Sequence, residues 1–367
     1  MTCLTNDQRF MRAALRFSLW HLGMTAENPS VGAILVNQKK NIPAIISQAI
    51  TSIGGRPHAE TQVLDLAGDL AKGTTLYVTL EPCAHFGKTG PCAQAIINAQ
   101  VERVVIALVD PDIRVAGQGI HMLRQAGVKV DVGIENEYAK CILHPYLIRK
   151  KLNRTAVTLK LAISEDNGIG LLSKGNFPVS NNISRMQAHI LRATHDAILI
   201  GYMTALLDDP SLTCRLNGLK NRSPIKIILD PQLNIPLNTK LIKNAQHEPL
   251  WLLCADNIPD EKYKFLLRNH VKIFKFTLKN GKLDGKEIID TITKAGINNL
   301  LIEGGAQTAQ TFINSNVIDK LALFKTKVNI GKCKVPAPNL NLLYENFIKL
   351  EPHHYKNDLY EEWIRPI

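Results

Sequence analysis

The sequence predicts an α/β protein made of two consecutive domains. Three observations carry this. β-rich runs alternate with helical ones from the N-terminus to residue 151, a pattern that lays helices against a buried sheet. A second α/β series starts near Arg154, after the basic run Arg149-Lys150-Lys151. The chain has 367 residues, enough for two cores of ordinary size. The expected domains are 1–150 and 151–367.

Each element follows from its residues. Over 6–22, Phe10, Met11, Ala14, Leu15 and Leu22 recur at helical spacing, and Thr5 or Asn6 can cap the first turn. Residues 31–36 and 42–50 read as strands. A helix over 59–70 carries Val63, Leu64, Leu66 and Ala67 on one side, and 74–80 is β-rich. Pro91 can open a helix over 91–99, because the N–H it lacks has no partner in a first turn. A strand over 101–109, a helix over 119–125, a strand over 128–132 and a helix over 135–151 complete the first domain. In the second, 156–163 is a strand, 180–193 a helix and 197–201 a strand. Short apolar runs at 225–229, 250–253, 271–276, 299–302 and 321–324 are further strands. Helices are expected at 285–295 and 307–314, and a last strand at 358–364. Segments 234–244 and 279–286 read as polar loops. There is no internal repeat.

Composition narrows the class. The apolar fraction of 45% is that of an ordinary globular protein, and no apolar run approaches the roughly 18 residues that span a bilayer. Residues 1–23 mix Asp7, Arg9, Arg12 and Arg16 into an amphipathic pattern unlike a secretion signal. A cytoplasmic protein with no membrane partner is expected. The seven cysteines are odd in number and scattered, which argues against a disulfide framework. Cys3, Cys141, Cys214, Cys254 and Cys333 read as ordinary thiols. The net charge of +12 suits nucleic acid or phosphorylated small molecules. The basic residues form no long block, so a phosphorylated small molecule is favoured over nucleic acid.

Two short stretches carry the chemistry. His58-Ala59-Glu60, and Pro82-Cys83 followed by Gly90-Pro91-Cys92, offer one imidazole, two thiolates and a carboxylate. A structural zinc site closes all four positions with Cys or His. Three protein ligands leave a fourth position for water, and Glu60 beside it suits a proton carrier. The expected metal ligands are therefore His58, Cys83 and Cys92, with Glu60 catalytic. Any one of these residues alone would more commonly be a hydrogen-bonded histidine or a small apolar thiol; the set at two loop-to-helix corners is what carries the reading. Nucleobase deaminases use Pro-Cys-x-x-Cys. Here eight residues separate the sulfurs, so the intervening loop must fold out and return.

That loop makes the likeness specific. The stretch from Thr79-Leu80-Glu81-Pro82-Cys83 through Ala84-His85-Phe86-Gly87-Lys88-Thr89-Gly90 to Pro91-Cys92 closely resembles the bifunctional deaminase–reductases of bacterial riboflavin biosynthesis. Asn28-Pro29-Ser30-Val31-Gly32, Pro57-His58-Ala59-Glu60, Asp110-Pro111 and Ala116-Gly117-Gln118-Gly119 fall in the same order. Past the linker, Ser184-Arg185, Leu191-Arg192-Ala193, Asp208-Asp209-Pro210-Ser211-Leu212-Thr213-Cys214-Arg215 and Glu303-Gly304-Gly305 look like the reductase half. The resemblance implies a cytidine-deaminase-like α/β/α sandwich followed by a dihydrofolate-reductase-like α/β domain. It implies zinc and NADPH, a phosphorylated pyrimidine substrate, and a homo-oligomer built on the reductase half.

The resemblance also implies roles. Asn28 would bind the substrate's ring or ribose, and Lys88, with Thr89, its phosphate; His85 would be structural or would support the ligands from behind, not serve as a fourth ligand. Thr204, Asp208, Lys160, Ile163 and Gly305 would face the cofactor. Asn176, Arg192, Leu212, Arg215 and Glu303 would contact the substrate. Glycines at 304–305, between a strand and a helix, would let a diphosphate approach the backbone; without the likeness they are a plain turn, since the fuller glycine fingerprint is missing. The chain departs from the family twice. Phe177-Pro178-Val179-Ser180 stands where a Trp-Ile-Thr run is usual, and Ala49-Ile50-Thr51 where Gly-x-His is usual. Two rivals remain: a single-activity deaminase with a silent second half, and a zinc-stabilised nucleic-acid binder. NADPH oxidation separates the first and salt-sensitive binding the second.

Overall fold

The computed structural model describes residues 4–39, 42–86, 90–113, 115–172, 177–279 and 281–367. The chain divides into two units, Met1–Asn153 and Arg154–Ile367. Among the described residues no helix is long and apolar enough to cross a membrane.

In the first unit Thr5 opens α1 (Asn6–Ser18) with a capping box. Its hydroxyl accepts from the Gln8 N–H, and the Gln8 side chain accepts from the Thr5 N–H. Then follow β1 (Gly32–Asn37), β2 (Ala44–Ile50), α2 (Ala59–Ala67), β3 (Thr75–Val78), α3 (Cys92–Asn98), β4 (Arg103–Ile106), α4 (Gln118–Gln125), β5 (Lys129–Val132) and α5 (Asn136–Leu152). The sheet order is β2-β1-β3-β4-β5. β1 runs antiparallel to β2 and β3, while β3, β4 and β5 are parallel. Helices sandwich this sheet. Met11, Ala14 and Leu15 of α1 and Val63 and Leu64 of α2 are buried in one core with Leu35, Tyr77 and Val105. Strands buried on both faces read as continuous apolar runs.

Several expected boundaries move. The first helix stops at Ser18 and the chain passes through a 3-10 turn at Leu19–His21. α2 stops at Ala67 because Gly68 takes φ 52°. The strand expected over 101–109 narrows to β4. Glu135 lies outside α5 at φ 59° and pairs with Arg12 at 2.9 Å.

The second unit contains β6 (Ala156–Ile163), β7 (Gly168–Leu171), α6 (Asn182–Ala193), β8 (Ala197–Gly201), α7 (Tyr202–Asp208), β9 (Ile225–Leu229), α8 (Lys240–Lys243), β10 (Leu250–Ala255), α9 (Asp260–Arg268), β11 (Lys272–Phe276), α10 (Gly285–Lys294), β12 (Asn299–Ile302), α11 (Ala306–Asn314), β13 (Lys320–Lys325), β14 (Lys334–Pro336), α12 (Asn341–Asn346), β15 (Ile348–Lys349), β16 (His353–Tyr355) and β17 (Asp358–Ile364). Its main sheet runs β11-β10-β9-β8-β12-β6-β13-β17-β15. The strands from β11 to β13 are parallel and β17 is antiparallel. From β6 the chain crosses to β8, steps outward to β11, then returns to place β12 between β8 and β6. Ligands of open α/β sheets bind at the carboxyl ends of strands beside such a reversal. The segment 234–244, read as a loop, contains the short helix α8. The edge strand β11 carries Lys272 and Lys275, charges that discourage pairing with another chain.

Candidate metal centre and basic cleft

Three chain segments converge in the first unit. His58 is the residue before the first turn of α2, Glu60 lies in that turn, Cys83 follows β3, and Cys92 is the first residue of α3. The loop between the sulfurs does return: the Ala93 N–H donates to the Cys83 carbonyl at 3.1 Å, and the Cys92 N–H reaches the Cys83 Sγ at 3.4 Å. The His58 Nδ1 lies 3.3 Å from the Cys92 Sγ and 3.8 Å from the Cys83 Sγ. The three ligand atoms all lie within 4.8 Å of one another.

This set fits zinc. With Zn–N near 2.0 Å and Zn–S near 2.3 Å, tetrahedral geometry separates nitrogen from sulfur by roughly 3.5 Å, and the two N···S distances bracket that value. The three groups also hold one another's protons. Hydrogen bonding from Cys92, then from His58, pulls the Cys83 thiol down to about 4 against its burial. The hydrogen bond with Cys83 pushes His58 up, and Cys92's own hydrogen bond with Cys83, together with burial, pushes Cys92 up. A divalent cation displaces such protons. Glu60 is 3% exposed, and burial raises its pKa to about 7. A carboxyl poised there can both take and give a proton near neutrality.

Asn28 sits beside this corner. Its Nδ2 donates to the Gly55 carbonyl at 3.2 Å. Gly55 has φ +88°, and a Cβ there would lie 2.4 Å from the Asn28 Nδ2, so the turn before His58 needs glycine. His85 is not part of the three-residue cluster. Lys88 and Thr89 lie outside the described residues.

The second unit has a cleft of about 1230 Å³ at the carboxyl ends of β6, β8 and β12. Single small-ligand pockets measure roughly 300–1,000 Å³, so this volume suits two molecules together. Lys160, Thr204, Asp208, Gly305, Arg192, Leu212, Arg215 and Glu303 all line it. Ile163 is not in the lining; it packs on the core at the end of β6. Asn176 lies outside the described residues, while its neighbour Phe177 is in the lining.

A charged cluster occupies the cleft floor. Arg192 clamps Glu303 through two bonds, Nε to Oε1 at 2.8 Å and Nη2 to Oε2 at 3.0 Å, the strong bidentate form. Lys160 Nζ lies 3.9 Å from Glu303 Oε2. Burial would raise the Glu303 pKa, but the charges of Arg192 and Lys160 overcome it and hold it at about 2. Burial lowers that of Lys160. His189, one turn before Arg192, also lines the cleft, and burial with the charges of Arg192 and Arg215 lowers its pKa.

The strand-to-helix corner fits a diphosphate. Gly305 precedes α11 and makes no side-chain cap, so the first N–H groups of α11 remain for a ligand. Thr308 fills the space below. A Cβ on Gly304 would lie 2.7 Å from the Thr308 Cβ, and one on Gly201 2.3 Å from its Oγ1. Sequence reading missed Gly201, His189 and Glu81. The one available signal was the glycine at the end of an apolar strand run.

Comparison with known proteins covers both units. Residues 4–108 match the cytidine and deoxycytidylate deaminase zinc-binding region, and residues 155–357 match the RibD C-terminal domain. A riboflavin biosynthesis protein RibD of Aquifex aeolicus is 36% identical over 318 residues, 87% of this chain and 86% of its own length. That of Escherichia coli is 30% identical over 356 residues, 90% of this chain and 92% of its own. Among solved structures, Acinetobacter baumannii RibD superposes with a TM-score of 0.82 at 28% identity, covering 98% of this chain and 99% of the other. A Thermotoga maritima diaminohydroxyphosphoribosylaminopyrimidine deaminase/5-amino-6-(5-phosphoribosylamino)uracil reductase also gives 0.82, at 25% identity and the same coverage.

Proposed function

Since this chain belongs to the RibD family of riboflavin biosynthesis, a zinc-dependent deaminase joined to an NADPH-dependent reductase, we propose that its two units act in sequence on one phosphorylated pyrimidine. The first hydrolyses the ring amine of 2,5-diamino-6-(5-phosphoribosylamino)pyrimidin-4-one. The second reduces the ribosyl group of the product to ribityl.

In the first unit His58, Cys83 and Cys92 hold zinc, which supplies Lewis-acid activation of water near neutral pH. Glu60 does the proton work. It takes a proton from the attacking water and passes it to the ring nitrogen, then takes the remaining proton from the hydroxyl now on the carbon and hands it to the amine, which leaves as ammonia while the carbon keeps the oxygen as a carbonyl. Burial, which raises its pKa, favours the proton it has to carry. Asn28 orients the ring or ribose, and Lys88 with Thr89 draws in the phosphate.

In the second unit NADPH supplies a hydride, and the protein's task is placement and charge. Thr204, Asp208, Gly305 and Lys160 form the cofactor side. Arg192, Leu212, Arg215 and Glu303 form the substrate side, and Asn176 is a further residue for substrate contact. When the sugar opens to an imine, hydride goes to carbon and a proton to nitrogen. Lys160 is a group whose burial makes a proton easier to release. The protein works in the cytoplasm as a homo-oligomer built on the reductase half.

The observation that carries this reading is the meeting of one imidazole nitrogen and two sulfurs within 4.8 Å, beside a buried carboxyl. Mass spectrometry of the products tests it. The diaminopyrimidine phosphate should exchange one amine for an oxo group without NADPH, and gain two further hydrogens with it. An unchanged first mass, or no reduction after deamination, defeats the corresponding half.

A further inference from the structure

Glu81 is 3% exposed and lies two residues before the Cys83 sulfur, yet the chemistry above does not use it. Its carboxylate accepts four main-chain N–H groups. Oε2 accepts from Asp110 at 3.3 Å and Gly117 at 3.0 Å; Oε1 accepts from Gly119 at 3.0 Å and Ile120 at 3.2 Å. Gly119 and Ile120 belong to the first turn of α4, which has no side-chain cap at its own N-cap, Gly117. A carboxylate from elsewhere in the chain therefore caps this helix, where both the free N–H groups and the positive end of the helix favour it. Packing is equally tight. A Cβ on Gly119 would lie 2.0 Å from the Pro82 carbonyl oxygen. The 110–120 segment and the Pro82-Cys83 corner are thus fastened to each other.

We propose that Glu81 is a positioning residue of the metal centre: its four hydrogen bonds hold the 110–120 segment against Pro82 and so fix the Cys83 sulfur where a cation can share it with His58 and Cys92. This rests on the three-ligand reading above. The physical reason is that a metal site tolerates little displacement. Ligand distances must hold within about 0.2 Å, and the polypeptide around a ligand sets that precision. Cys83 follows a strand on a loop, so its place depends on what grips that loop. Glutamine at 81 would keep one acceptor oxygen and turn an NH2 toward two N–H donors, so half the grip becomes repulsion. Aspartate would keep both oxygens but fall one methylene short of the four donors.

The test uses the full-length zinc-loaded protein. Glu81→Gln should release zinc to a chelator at least tenfold faster than wild type. Cobalt substituted for zinc should show weakened and shifted thiolate-to-metal absorption, a signature that loss of general stability would not change. The deamination kcat should fall, with the KM for the pyrimidine little altered and NADPH oxidation on the deaminated intermediate intact. Glu81→Asp should fall between the two and serves where Glu81→Gln does not fold. Wild-type zinc release and cobalt spectra in either variant overturn the proposal. Cys83→Ala separates it from the reading beneath: zinc held normally without that sulfur defeats the three-ligand set itself.

Discussion

Glu60 shows how one residue's surroundings set its chemistry. In water a glutamate would be a weak base at neutral pH. Burial behind the imidazole and sulfurs lifts it to about 7, where accepting and returning a proton cost little. Glu60→Gln keeps the shape and hydrogen-bonding reach but removes the exchangeable proton. General acid–base groups contribute roughly 10²–10⁴-fold, so the variant's ammonia release should fall by about that factor while zinc content stays at the wild-type level. Release at the normal rate would remove Glu60 from the mechanism. At this scale the sequence was legible where donor types cluster at short spacing: His58, Cys83 and Cys92 stand out because imidazole and thiol pairs are rare at loop-to-helix corners. Glu81 was not legible as a separate part. Its partners are main-chain N–H groups 29 to 39 residues away, and the residue types at those positions do not announce them. Nor does any spacing show that Ile163 packs into the core while Lys160, three residues earlier, lines the cleft.

At the scale of elements, the corner between β12 and α11 does the work in the second unit. Thr308, one turn into α11, packs where Cβ atoms on Gly304 and Gly201 would be. Gly304→Ala must therefore push Thr308, and with it the start of α11, away from the cleft. The KM for NADPH should rise about tenfold or more, measured by initial rates over a cofactor series, with deamination unchanged; an unaltered KM would detach this corner from cofactor binding. The elements that the sequence announced are those with one buried face or two. β8 and β12, buried throughout, read as plain apolar runs. α9 was missed because Leu266 is its one buried residue and Phe265 and Leu267 beside it are exposed, which blurs the helical period. α7 is a single short segment after a strand, and β14 to β16 are two or three residues each, too short for any periodicity to register. The first helix was read four residues too long because Leu22 continued an apolar spacing that the 3-10 turn at Leu19–His21 breaks.

For the whole molecule, two units with separate cores and separate sites correspond to two successive reactions on one substrate. The alternation of strands and helices announced both units, because parallel strands need helical crossovers whatever the sequence between them. Strand order was not announced: nothing local to β12 tells it to insert between β8 and β6, although that insertion creates the reversal where the cleft lies. The account as a whole turns on a cation in the first unit, and metal removal tests it most directly. Purified protein should contain zinc equimolar with the chain. Chelation should abolish ammonia release from the diaminopyrimidine phosphate, leave NADPH oxidation on the deaminated intermediate running, and be reversed by added zinc. Full ammonia release from protein shown by elemental analysis to be free of metal would contradict the account.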